Sequence, residues 1–480
     1  MRRGGIMRRN LPGIAFLAVC MLFCFAVGIS ALFSDGSAAL EKRQIDEMPS
    51  FFYDDKTINK NFDSELSDWL SVRMPFRPFA LRTKSEIMKT FFASSAEDDV
   101  IIGKNGWLYF TDTVDEYIGA HLLSERSILN IKDTLCQLQE YCLENSMDFV
   151  FTVAPNKNTL YPENMPSRFI KSETNNFTRL KEALAESGVN YVDLSDLNEC
   201  AENPLYYATD THWNAEGALI VYDRLLEAIG KEHASYAAVS YKQTEKAGDL
   251  TEMLFPGSEL TETENAPDIE VHFSYTSRMR SEEDIRITTH NESGSGSLMM
   301  FRDSFGNALL PLFAENFENG YFSRAVPCDF SSAVKNGCDT VIYEIVQRNL
   351  ENIVSYAPVM NAKRIEKPDN IHISENTDAV VVRTETDGML HIYGTVDSGY
   401  LENNSDITLR LETSSGEELF FRCFRIYEKG LFEDDVCRDN GFSVYLDPND
   451  LPDEKMTVSV MVQNKNENML FSADHAIEKE

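Results

Sequence analysis

Between residues 128 and 343, short apolar runs alternate with segments of helical periodicity. That alternation restricts the chain to few folds. Ile128, Ile131, Leu135, Leu138 and Cys142 fall at helical spacing. Phe149, Val150, Phe151, Thr152 and Val153 then read as a buried strand ending at Ala154 and Pro155. A helix near 177–186 precedes a strand at 189–192. Ala215, Ala218, Leu219, Tyr222, Leu225, Leu226 and Ile229 draw one apolar stripe, with Asn214 placed to cap the helix and Gly230 to end it. Residues 231–297 read as irregular and acidic. A strand at 298–301, a helix at 309–317 and strands at 321–326 and 340–343 follow. The alternation predicts an α/β fold, a mostly parallel sheet with helices on both faces. Ligand sites in such sheets lie beyond the carboxyl ends of the strands.

After about residue 365 the texture changes. Short strands at 379–383, 389–393, 407–411, 419–423, 442–445 and 456–461 are separated by Asp, Gly, Asn and Ser turns. They predict a C-terminal antiparallel β-sandwich. The expected division is an N-terminal membrane segment at 1–33, a polar stalk at 34–60, a catalytic domain at 61–360 and a sandwich at 366–480. The start of the catalytic domain, 62–92, reads as helical.

Residues 11–33 hold 23 residues without a charge, long enough to span a hydrocarbon core of about 30 Å. Arg2, Arg3, Arg8 and Arg9 precede the run, so its start should stay in the cytoplasm and the body outside. The segment reads as an uncleaved single-pass anchor in the cell membrane. A cleaved export signal is the alternative, and both readings export the body. Lys and Arg number 44 against 78 Asp and Glu, a net charge of −34. Nucleic acid is excluded as a partner, because a phosphate backbone needs a basic stripe. Nine cysteines include no C-x-x-C and give no zinc or redox signature. Cys328 with Cys338, and Cys423 with Cys437, either close loops or stay as free buried thiols.

Two constellations carry chemistry. In Asp210-Thr-His212-Trp213-Asn214, residues two apart on an extended segment point the same way. A carboxylate beside an imidazole suits general-base work; a loop histidine with a capping aspartate is the plainer reading. No second histidine sits at ligand spacing, so no metal or other cofactor is expected. In Arg302-Asp303-Ser304-Phe305-Gly306, a small nucleophile stands at a strand-to-helix turn, where helix N-terminal N–H groups can receive an oxyanion. The plainer reading is a helix cap.

Taken with Gly103-Lys-Asn-Gly106-Trp107-Leu108, Ala154-Pro-Asn-Lys157, Tyr161-Pro162, Gly248-Asp249-Leu250, Glu344 and Arg348, these blocks resemble one known family. It is the SGNH-hydrolase-like AlgX/AlgJ alginate O-acetyltransferase family, together with the DHHW proteins of Gram-positive bacteria. The resemblance runs from about residue 60 to 355. It implies Ser304 as nucleophile, His212 as base and Asp210 as the group that orients it. The chain order Asp, His, Ser is permuted relative to ordinary SGNH esterases. Arg302 stands where many relatives have Gly, and Thr211 where the DHHW name implies a second His. Trp213 either packs beside the triad or stacks on a sugar. Lys157, Tyr161, Arg302 and Arg348 either touch a glycan or form ion pairs.

The implied activity is O-acetyl transfer to an exported or cell-surface polysaccharide, with a membrane-bound O-acyltransferase supplying acetyl. The acidity of the chain favours a neutral or amino-sugar glycan. An acetylesterase with the same triad is the first alternative. A non-catalytic glycan-binding or envelope-assembly protein is the second. The uncleaved anchor is directly testable: mass spectrometry of the membrane fraction should recover peptides from before residue 11 on the intact protein, and a mature terminus after residue 33 would defeat it.

Overall fold

The computed structural model describes residues 99–478 except 234–238, 256–257 and 429–437, together with residues 21–22, 48, 50–51, 62, 66 and 69. The apolar run at 11–33, the stalk and the 62–92 segment therefore lie almost wholly outside the described residues. Among the described residues no helix is long and apolar enough to cross a membrane.

In chain order the elements are β1 (Val100–Ile102), β2 (Leu108–Phe110), α1 (Glu125–Glu144), β3 (Asp148–Ala154), α2 (Asn176–Leu184), β4 (Tyr191–Val192), α3 (Ala215–Ala228), β5 (Tyr241–Lys246), α4 (Asp249–Leu254), β6 (Glu262–Pro267), β7 (Ser274–Tyr275), β8 (Arg286–His290), β9 (Ser297–Phe301), α5 (Leu310–Asn316), β10 (Asn319–Ser323) and β11 (Thr340–Val346). The C-terminal third adds β12 (Arg364–Ile365), β13 (Ile371–Ile373), β14 (Val380–Asp387), β15 (Met389–Val396), β16 (Asp406–Thr413), β17 (Glu418–Arg422), β18 (Phe424–Glu428), β19 (Arg438–Leu446), β20 (Met456–Gln463) and β21 (Asn468–Ile477).

The helix ends follow their capping residues. Ser124 accepts from Ser127 N–H at 2.9 Å to start α1. Asn214 accepts from Gly217 N–H at 2.9 Å to start α3, and Gly230, at φ +67°, closes its far end. Region 231–297 is more ordered than its composition suggests: β5 to β8 and α4 fall within it. Its strands are polar and short, with β5 exposed throughout, so they leave no apolar alternation to read.

The chain divides into two compact units. The smaller takes residues up to 111 with 207–211 and 245–263. In it the β1–β2 hairpin packs Val100 and Leu108 on Leu250, Leu254 and Phe255 of α4 and its end. The larger unit holds a seven-stranded sheet in the order β4-β3-β11-β9-β10-β8-β7. The β4-β3, β3-β11, β11-β9 and β9-β10 pairs are parallel, whereas β8 and β7 join antiparallel. β3, β9 and β11 are buried on both faces, which is why they are nearly continuous apolar runs. α1 and α2 cover one face through Ile131, Leu135, Leu138, Phe177 and Leu180.

Beyond β11 the same unit continues as a six-stranded sheet, β12-β17-β16-β20-β21-β13, and a four-stranded sheet, β14-β15-β19-β18. Ile392, Phe442 and Val444 of the second join Ile407, Leu409, Val458 and Val460 of the first in one core. Apolar packing does not stop at residue 365. Phe424 and Ile426 of β18 belong to the α1/β3/β11 core. Arg422 and Arg425 both pair with Asp133 of α1, the latter at 3.4 Å. Cys328, Cys338 and Cys423 are free thiols, so the Cys328–Cys338 loop is open, and Cys437 lies outside the described residues. Burial pushes all three thiols up to about 12, which keeps them protonated.

At the carboxyl edge of β3 and β11 lies a buried polar ladder. Gln347 accepts from Asn156 N–H and from Thr159 Oγ, each at 2.9 Å. Asn156 Nδ2 donates to Glu116 Oε2 at 3.2 Å. Burial raises the Glu116 carboxyl from 4.5 to about 7.

Two stability outcomes follow. Phe424→Ala should cost about 3–5 kcal/mol in urea unfolding of the whole unit, since its ring fills a core shared with α1; an effect confined to a separate C-terminal transition would contradict the shared core. Glu116 favours the folded state while protonated. Its contribution is therefore complete below about pH 4.5 and is lost as pH rises to about 7, on the order of 3 kcal/mol. Glu116→Gln should flatten that fall and leave the chain more stable than wild type above pH 7, read as Tm against pH.

Candidate active site

Ser304 stands three residues beyond β9, at the carboxyl edge of the parallel strands. Asp303, beside it, is tied to the neighbouring strand. Its carboxylate accepts from Phe305 N–H at 2.9 Å and from Val346 N–H at 2.6 Å, at the end of β11. Its own N–H donates to Glu344 Oε2 at 3.1 Å. Burial, with the Asp303 carboxylate next to it, holds Glu344 well above the ordinary carboxyl range. The turn that carries Ser304 is thus fixed by hydrogen bonds to β11 on both sides of the backbone.

Arg302 completes the lock. It is 5% exposed, and its guanidinium donates to Glu282 C=O at 2.8 Å and to Asn307 Oδ1. Burial and the nearby Arg324 charge lower it to about 10, still cationic at neutral pH. A Cβ on Gly306 would come within 2.6 Å of the Arg302 Cβ, so Gly306 makes room for the arginine stem. The helix after Ser304 is one 3-10 turn, Phe305–Asn307, whose first N–H is already taken by Asp303. The expected helix N-terminus for an oxyanion is therefore not available at Phe305.

His212 Nε2 lies 2.8 Å from Ser304 Oγ. The two side chains are half-buried and 92 residues apart in sequence. Phe305 holds the histidine in place: its ring centroid is 4.8 Å from that of His212 and 4.9 Å from that of Trp213, the latter edge-on. Trp213 is 1% exposed and also meets Tyr206, so it packs and offers no face to a sugar. Tyr161 is buried too, its Oη accepting from Leu205 N–H at 2.8 Å. Lys157 is buried at the start of a short helical turn after β3. Asn214 caps α3 and donates to Pro204 C=O at 2.8 Å. Arg348 is half-buried with its guanidinium 5.7 Å from the Phe305 ring centroid, a cation–π contact one residue from Ser304.

Asp210 belongs to the smaller unit. It is 4% exposed, and its Oδ2 accepts from Asp249 N–H at 3.0 Å. Asp249 in turn accepts from Thr211 N–H at 2.8 Å and Thr211 Oγ at 2.6 Å. Asp249 holds the segment on which Asp210 sits, a role its position in Gly248-Asp249-Leu250 did not disclose. Phe305 carries no sequence signal either, since a hub of ring contacts leaves no spacing pattern, and Asp303, whose plainer reading is a cap, does accept from the turn's Phe305 N–H.

Residues 100–286 match the SGNH hydrolase-like domain of the acetyltransferase AlgX. Over 136 residues the chain is 29% identical to the probable alginate O-acetylase AlgJ of Azotobacter vinelandii, a stretch that is 27% of this chain. It spans 33% of the length of that relative. Among solved structures, Bacillus cereus PatB1 aligns at 17% identity and a TM-score of 0.43, over 53% of this chain and 97% of PatB1. A DHHW family protein from Eubacterium siraeum aligns at 18% and 0.38, over 52% of this chain and 94% of its own. Pseudomonas aeruginosa AlgX aligns at 12% and 0.35, over 78% of this chain and 94% of its own. Residues 100–286 of the chain are thus similar to the SGNH hydrolase-like domain of AlgX, and a stretch of the chain is similar to AlgJ.

Proposed function

We propose that the protein is an O-acetyltransferase that moves acetyl onto hydroxyls of an exported polysaccharide through Ser304, His212 and Asp210. The observation that carries the reading is the 2.8 Å approach of His212 Nε2 to Ser304 Oγ on a turn fixed by Asp303. His212 takes the Ser304 proton as Oγ attacks the acetyl carbonyl. The donor leaves with that proton, and Ser304 holds the acetyl as an ester. A glycan hydroxyl then attacks the ester, gives its proton to His212, and Oγ leaves and recovers the proton. Asp210, two residues before His212, is assigned to hold the imidazole tautomer and to stabilise imidazolium.

The coarse activity rests on the AlgX domain match and the AlgJ similarity. The acidic composition favours a neutral glycan as acceptor. In this reading a membrane-bound O-acyltransferase supplies the acetyl group, and the run at 11–33 anchors the catalytic body outside the cell membrane. The two C-terminal sheets act as a β-sandwich that helps hold the polymer.

The test is acetyl release from a chromogenic acetyl ester, followed by transfer to purified glycan. Ser304→Ala and His212→Ala should each remove activity by on the order of 10⁴-fold, and the double variant should lose little more, because the pair acts as one unit. Asp210→Asn should lose less. Product analysis separates transfer from hydrolysis. Full activity in Ser304→Ala with both acceptors would reduce Asp303-Ser304 to a turn cap.

A further inference from the structure

The sheets of seven, six and four strands end in edge strands of unequal length. β4, β7 and β12 have two residues each, β13 three and β18 five. Short edges give a foreign strand little to pair with. β14 differs. It is the terminal strand of the four-stranded sheet and runs eight residues, Val380–Asp387. Its inner edge pairs with β15 in unbroken register over that whole length, without a bulge. Among the described residues no strand pairs with its outer edge, and neither proline nor lysine interrupts it. The strand is also tethered, since Thr384 Oγ1 lies 3.1 Å from His475 Nε2 of β21. The residues on either side of Thr384 carry opposite charges. Arg383 is exposed and makes no ion pair among the described residues. Glu385 Oε1 lies 2.9 Å from His391 Nδ1, and the Glu385 side chain is 62% exposed. Arg383 and Glu385 share one face of the sheet, opposite Tyr393 and His391 of β15.

We propose that β14 is a homodimer interface, pairing antiparallel with β14 of a second copy about a two-fold axis at Thr384. In that register Arg383 stands opposite the second copy's Glu385, and the symmetry repeats the pair. A slip of two residues is the smallest that keeps the faces matched, and it sets Arg383 against Arg383 or Glu385 against Glu385. Parallel pairing in register sets like charges together as well. Charge therefore selects the one register in which the strand complements itself. The product is a sheet of eight strands, four from each copy. The net charge of −34 on each copy opposes association at low salt. At about 0.15 M salt the Debye length is about 8 Å, which screens that repulsion and leaves directly facing side chains coupled. The contact is a strand edge and not a broad face, so dimerisation should depend on concentration.

The experiment is sedimentation velocity of the full-length chain in detergent, at about 0.15 M salt, over a range of concentrations. Wild type should pass from monomer to dimer as concentration rises. Arg383→Glu and Glu385→Arg each set two like-charge pairs across the axis, so each should raise the dimer Kd about tenfold or more. Mixed together, the two variants face each other with opposite charges and should form a heterodimer. The double variant Arg383→Glu with Glu385→Arg again complements itself and should return to within about threefold of the wild-type Kd. An unchanged Tm checks folding. Glu385→Arg also loses the His391 contact; should it fail to fold, Arg383→Glu and Arg383→Gln carry the test, with Gln expected between wild type and Glu. A wild-type chain that stays monomeric at every concentration overturns the proposal. So does a dimer whose Kd is unmoved by Arg383→Glu, because its contact then lies elsewhere.

Discussion

The Asp303 carboxylate is the interaction on which the site depends. It accepts one N–H from the nucleophile's own turn and one from the end of the adjacent strand β11. Each is a charge-assisted bond in a buried setting, and removing the carboxylate would leave two backbone donors unmatched. Asp303 N–H, through Glu344, ties the same residue to β11 a second time. Ser304 is therefore placed by the sheet itself and not by a free loop. Arg302 reinforces this from the other side through Asn307 and Glu282. Its side chain is admitted because Gly306 leaves the stem the space.

Much of the larger unit could be read from its sequence because burial on both faces forces a recognisable pattern. β3, β9 and β11 had to be apolar throughout, and α1 and α3 had to carry one apolar stripe each. The caps at Asn214 and Gly230 were equally legible, since a helix end needs a particular chemistry there. What could not be read were strands whose position depends on tertiary partners. β5 has no buried residue, the two residues of β7 are exposed, and β8 buries only Ile287 and Thr289. β18 was missed for the opposite reason. Its Phe424 and Ile426 belong to the core around α1, so their partner lies almost 300 residues earlier.

The candidate site divides in the same way. Ser304 and His212 stand in compact motifs of chemically distinctive residue types, and the fold brings the two to 2.8 Å. Trp213 and Tyr161 stand in the same motifs, yet their work is packing: both are buried against Tyr206, and Trp213 also meets Phe305. Motif membership located the neighbourhood without separating the residues that react from those that hold them. Phe305 illustrates the gap. It touches His212, Trp213, Tyr206 and Arg348, and one phenylalanine after a serine announces none of this.

The carboxyl edge of the sheet gathers polar groups that a stability-driven core would exclude. Glu116, Asn156 and Gln347 form a buried ladder at the ends of β3 and β11, Glu344 is buried on β11, and Arg302 is buried one strand over, after β9. Each is desolvated, which raises the two carboxyls. An apolar edge of the same volume would be more stable, so stability does not account for the arrangement. Position does. β3 and β11 end side by side at Ala154 and Val346, while β9 ends level with Tyr343, and all three lead into turns at the edge where ligands of such folds bind. Fixing a hydroxyl nucleophile there requires donors and acceptors aimed from neighbouring strands, which only polar side chains can supply. Burial raises the Glu116 and Glu344 carboxyls, which disfavours further negative charge near Asp303 in a chain whose overall charge is already −34.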